Sequence, residues 1–132
     1  MKWMKVYKVV KRSERGDSFQ SLFPQTLAKV EYKVGEWSEA PEFLRKKGYY
    51  LFAFRDLRSA LLFISEILIW DVVLFEAEAR GEKKLPPPLK LWKLETQGKT
   101  EVDMDAEWPP GTVMVERIKL IREVERVSNE KD

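Results

Sequence analysis

Two glutamates, Glu76 and Glu78, stand two residues apart in an alternating stretch, so a strand would present both carboxylates on one face. Such a pair can do acid–base or electrostatic work where it lines a concave site with an Arg and hydroxyl groups converging on it. On an open sheet face the same pair only meets the lysines and arginines of neighbouring strands. Basic and aromatic side chains interleave twice, as Lys2, Trp3, Lys5, Tyr7 and Lys8, and as Lys90, Trp92 and Lys93. Rings that stack bases beside phosphate-binding lysines would suit a single-stranded nucleic acid, and Lys90, Trp92 and Lys93 are the candidates for that role. The plainer reading puts the rings in the core while the lysine heads reach water. A third cluster, Asp103, Asp105 and Glu107, alternates like a calcium loop but lacks its central Gly and its twelfth-position Glu. It reads as a solvated acidic loop. The six glycines are dispersed and form no phosphate cradle.

The residues that are missing narrow the chemistry further. The chain has no Cys and no His. Disulfides, thiolate nucleophiles, iron–sulfur clusters, Ser-His-Asp triads and His- or Cys-ligated zinc have no residues to use. We expect no cofactor and no metal site, and a bound metal would have to be a hard ion on oxygen ligands. The 24 Lys and Arg against 22 Asp and Glu leave a net charge of +2, so nucleic-acid binding should be weak and non-specific at most. Charged residues make up 35% of the chain, well above the ~25% of ordinary soluble domains, while Gln occurs only at 20, 25 and 97 and Asn only at 129. That is the composition of a heat-adapted protein. The first twelve residues hold no signal-peptide h-region, from which we expect a cytoplasmic location. Residues 57–79 are the most apolar stretch, but Arg58, Glu66, Asp71, Glu76 and Glu78 argue against a membrane span.

The elements that must position these groups follow from periodicity. Residues 3–11, rich in Val and aromatics, predict a strand, although Lys2, Lys5, Lys8 and Lys11 recur at a spacing of three that fits neither strand nor helix. A second strand over 27–33 should close at Gly35, and Pro41 opens a short helix that ends at Gly48. Residues 49–54 read as a buried strand. Asp56 caps a helix over 57–68 whose wide apolar surface predicts packing on more than one side, as the principal helix of the domain. From 70 to 79 the period becomes two, with Val73, Phe75, Ala77 and Ala79 facing one way and Glu76, Glu78 and Arg80 the other, until Gly81 ends the strand. Pro86, Pro87 and Pro88 connect to a strand over 89–95, and Trp108-Pro109-Pro110-Gly111 forms a second rigid loop. Residues 113–124 fit a strand better than a helix. At 132 residues the chain reads as one globular domain over 1–132, frayed from about 128, of α+β class. Its mainly antiparallel sheet would pack on one principal helix, joined by Pro-rich loops.

The order of landmarks then resembles a group of small uncharacterised proteins from archaea, bacteria and phages. Tyr7-Lys8-Val9-Val10, Tyr32-Lys33-Val34-Gly35, Gly48-Tyr49-Tyr50, the run from Glu76 to Glu82 and the run from Glu116 to Glu123 carry the resemblance, over residues 5–124. Members often hold His or Cys after the central Gly, where this chain has Tyr49 and Tyr50. The Glu-x-Glu of Glu76 and Glu78 also resembles the acidic element of ADP-ribosyltransferases, in which a Glu polarises the nicotinamide ribose. That resemblance would give Arg12, and Ser59 or the Tyr49-Tyr50 pair, the task of holding the dinucleotide. We favour a binding or assembly domain over a catalyst, because five Trp and seven Phe exceed what one small core needs to bury. A homo-oligomer, most simply a C2 dimer, is the expected form.

Overall fold

Val, Ile, Phe and Tyr dominate the segments that form strands, and most of the chain's regular structure is antiparallel sheet. The computed structural model describes residues 3–12, 19–21, 30–66, 72–87 and 108–124. In chain order the elements are β1 (Trp3–Arg12), β2 (Phe19–Ser21), β3 (Glu31–Tyr32), β4 (Trp37–Glu39), α1 (Glu42–Arg45), β5 (Leu51–Phe54), α2 (Leu57–Glu66), β6 (Val72–Lys83) and β7 (Thr112–Glu123). The expected mixture of sheet and helix is therefore weighted strongly toward sheet.

The sheet closes on itself. β6 lies between β1 and β7, pairing with each along most of its length. β5 bridges the other edges of the same two strands, in register with β7 from Leu51–Val115 to Phe54–Thr112 but touching β1 only at Tyr7–Phe54. Beyond that one pair β1 turns to β2, from Val10–Ser21 onward, and β7 turns to β4. β3 completes the wall beside β2. The wall thus divides between β5 on one side and β2, β3 and β4 on the other. Inside lies the main core, formed by Val6 and Val10 of β1, Tyr32 of β3, Phe75, Ala77 and Ala79 of β6, and Val115, Ile118 and Leu120 of β7.

Gly81 corrects one sequence expectation. It does not end β6; its φ of 76° lets the strand turn a corner and continue to Lys83. That φ is one that residues with side chains rarely adopt, and a Cβ there would also fall 2.7 Å from Glu116 Oε1 unless the Glu116 side chain moved aside. The inward-facing residues of β7 change parity beside this corner, between Val115 and Ile118. A bulge at Ile121 adds a second bend, because Glu76 pairs with Arg122 and Ala77 with Leu120.

The second correction concerns α2. Asp56 caps it as expected, its Oδ1 accepting the Ser59 amide at 2.8 Å. Within the described residues the helix ends at Glu66 and packs on one side only. Ala60, Phe63 and Ile64 meet Val9, Phe54 and Leu74 on the outer face of the sheet. Among the described residues this helix on the curved wall has no second layer above it, and its other apolar residues stay at the surface. The short α1 follows Pro41, and Gly48 at φ 91° ends its turn. Around it Leu44 and Tyr49 pack with Phe52 and Trp108, whose Nε1 donates to the Pro86 carbonyl at 2.6 Å. The expected strand at 89–95 lies outside the described residues, as does most of the expected strand at 27–33. No described helix is long and apolar enough to cross a membrane.

Candidate functional site

The apolar surface left over by the fold is concentrated on α2. Leu57, Leu61 and Leu62 remain 36%, 39% and 45% exposed, although each stands among residues that pack on the sheet. Helical geometry sets this division: 60, 63 and 64 turn inward, so 58, 61, 62, 65 and 66 must turn outward. Arg58, Leu62 and Glu66 follow one another at intervals of four along the outer line. Neither Arg58 nor Glu66 forms a salt bridge among the described residues. The outer side of α2 is therefore an apolar strip with a cation at one end, near Asp56 but in no salt bridge among the described residues, and a carboxylate likewise in none at the other.

Glu76 and Glu78 lie where strand alternation puts them, on the outer face of β6. Glu76 is bridged by Lys5 of β1 at 3.3 Å and by Arg122 of β7 at 2.9 Å. Burial alone would raise its carboxyl, but the hydrogen bonds and charges of Lys5 and Arg122 hold it below the usual carboxylate range. Glu78 stands 3.9 Å from Lys119 of β7. Lys119 and Arg80 both approach the Trp37 ring, at 4.9 and 5.0 Å from its centroid. The open cleft of about 380 Å³ beside Trp37 is lined by Val30, Glu31, Lys33, Glu36, Ser38, Glu39 and Pro41, and by neither Glu76 nor Glu78. Of the residues considered for a dinucleotide, Ser59 lies in the first turn of α2 with its amide donating to the Asp56 cap, Tyr49 is buried in the cluster around α1 and Arg12 lies over Phe19, so they are not brought to the two glutamates. Among the described residues no three acidic side chains converge to hold a metal.

The basic–aromatic candidates divide. Lys90, Trp92 and Lys93 lie outside the described residues, as do Asp103, Asp105 and Glu107. Trp3, at the start of β1, is 57% exposed, and Lys5 follows it on the same face. The Lys5 amine is held above its usual range, chiefly by its hydrogen bond to Glu76.

The sequence reading missed Lys8. Lys5 and Lys11 share one face of β1, and a strand's period of two sends Lys8 to the other, among Met4, Val6 and Val10. Its side chain is inside the closed sheet and only 6% exposed. Nζ donates to the Phe52 carbonyl of β5 and lies 5.3 Å from the Tyr32 ring centroid. Burial lowers the Lys8 amine to about 7, and among the described residues no carboxylate offsets it. Tyr32 is buried beside it with a hydroxyl that has no partner among the described residues, and burial raises that phenol. The signal was the spacing of three itself, which in any strand must turn one lysine inward.

No family model matches this chain, and neither the curated proteins nor the solved structures yield a match.

Proposed function

We propose that this chain is an assembly domain, two copies of which pair antiparallel through the outer face of α2. The observation that carries the reading is the line Arg58, Leu62, Glu66. Arg58 and Glu66 lie four residues either side of Leu62, so a two-fold axis at Leu62 sets Arg58 of each copy against Glu66 of the other. Leu62 then packs on its symmetry mate, flanked by Leu61, which burial rewards at roughly 25 cal/mol per Å². Both charges find partners in one move. At ten residues the helix is about 15 Å long, too short for a large interface. The expected dimer is consequently reversible, with a dissociation constant of about 10–100 μM. Sedimentation velocity over about 1 μM to 1 mM tests it. The wild type should shift from monomer to dimer, while Leu62→Glu, a change at an exposed position, should stay monomeric. A wild type that remains monomeric throughout, or a Leu62→Glu variant that dimerises equally, contradicts the proposal.

A second reading rests on Trp3. An exposed Trp beside Lys5 and opposite Arg80 on the sheet's outer face offers a stacking platform for a single-stranded nucleic acid. Glu76 and Glu78 on the same face counter its charge, which favours weak binding. Two further inferences accompany the first reading. Glu39 joins Arg45 and Arg117 while Glu76 joins Lys5 and Arg122, and such shared ion pairs support a heat-adapted chain. We also group the chain with the small proteins that share its landmarks.

A further inference from the structure

Buried donors without acceptors are rare enough to need a cause. At the place where the wall divides, the Tyr32 hydroxyl has no acceptor among the described residues, and the Lys8 amine beside it has one backbone carbonyl and no counter-charge. β1 pairs with β5 at Tyr7 and with β2 from Val10, so Lys8 falls between the two pairings. Its side chain reaches across the division, giving one hydrogen bond to the Phe52 carbonyl of β5 and lying against the Tyr32 ring of β3. An ammonium carries three donors, and the Tyr32 hydroxyl adds a fourth that meets no acceptor among the described residues. No carboxylate of the described residues pairs with Lys8, and on the neighbouring strand Phe75 stands opposite it. What the place lacks is a negatively charged acceptor.

We propose that the Lys8–Tyr32 pair is an anion site inside the closed sheet that takes one small monocarboxylate, formate being the simplest. Two carboxylate oxygens can accept from two separate donors at once, which a single halide does less well. The surrounding Val6, Val10 and Ala77 are apolar, so an ion with one charge is neutralised by Lys8 whereas a doubly charged one is not. Binding and protonation of Lys8 are then linked: the anion favours the ammonium, and the ammonium favours the anion. Tyr32 is the titratable neighbour on β3, and it stays a neutral donor throughout this range.

The test uses the full chain and sodium formate, with sodium chloride at equal ionic strength. Thermal melting at pH 6 should show a saturable rise in midpoint with formate, small at pH 9 and absent in Lys8→Met. Tyr32→Phe should need about tenfold more formate for half the effect. Independently, the Lys8 ε-carbon resonance of wild-type protein should move with formate and its titration midpoint should rise. A melting curve and a Lys8 resonance both indifferent to formate overturn the site. So does a formate response retained in Lys8→Met, and an equal response to chloride overturns the carboxylate assignment.

Discussion

Lys8 shows what a single buried amine does to the stability of its surroundings. Its ordinary value near 10.5 falls to about 7 in the fold because burial disfavours the charge. Folding at neutral pH without a counter-ion therefore costs either a proton or a buried cation. With the folded pKa below the unfolded one, the penalty is full below about pH 7 and disappears as pH rises toward 10.5. At about 1.4 kcal/mol per unit it reaches on the order of 5 kcal/mol. Lys8→Met should flatten this slope and raise stability most at pH 6–7, as urea unfolding at several pH values would show. A variant less stable than wild type at every pH would mean that the Phe52 hydrogen bond outweighs the burial cost. Gly81 makes the opposite case, where the smallest side chain is required. Gly81→Ala, placed at φ 76° against Glu116, should cost about 1–3 kcal/mol in the same measurement. The need for Gly81 could not be read from the sequence, since a Gly at the end of an alternating run looks like a stop. Only the partner strand, with Glu116 across from it, reveals a corner.

The elements were legible to the extent that one face settles their state. β6 was read correctly in its alternation because Val73, Phe75, Ala77 and Ala79 meet a single core. The strand assignment at the C-terminal end likewise matches β7. β2 and β4 were missed, being three residues each and too short for a period to show. For α2 the apolar residues were identified but not their use. A broad apolar surface means either two layers of packing or one layer and an open side, and the sequence does not distinguish them. Asp56 is the part of α2 most open to a direct test. Its carboxyl is held below the usual range, first by the Ser59 backbone amide, so the cap strengthens the fold at neutral pH and weakens as pH falls through the carboxylate range. Asp56→Ala should remove the protection of the Ser59 amide against hydrogen exchange while leaving β6 and β7 protected. Unchanged exchange at Ser59 would show that the cap contributes nothing.

Closure of the sheet belongs to the whole molecule and was invisible in the sequence, because the strands that meet are distant in the chain. β1 and β6 pair across some seventy residues, from Trp3–Arg80 to Lys11–Val72. Closure also explains the sites of interest. It encloses Lys8, leaves α2 on a convex surface, and spreads Lys5, Glu76 and Arg122 over one outer face. From the shared ion pairs on that face we expect a melting midpoint above about 75 °C, outside the range of mesophilic domains; a midpoint of about 45–65 °C would contradict a heat-adapted chain. The same mixture of charges predicts that any binding to single-stranded oligonucleotides falls steeply with salt and is nearly lost at physiological ionic strength. Fluorescence titration checks this, and micromolar binding at physiological salt that Trp3→Ala abolishes would favour the nucleic-acid reading instead.

Self-pairing through α2 is tested most directly by exchanging its two charges and measuring the dimer dissociation constant by sedimentation equilibrium at low salt. Arg58→Glu alone and Glu66→Arg alone each place like charges together across the two-fold axis and should weaken the dimer at least tenfold. The double variant, carrying both changes, restores opposite charges and should recover the wild-type constant to within about threefold. A double variant as weak as either single one, or single variants that dimerise like wild type, would contradict the antiparallel pairing about Leu62.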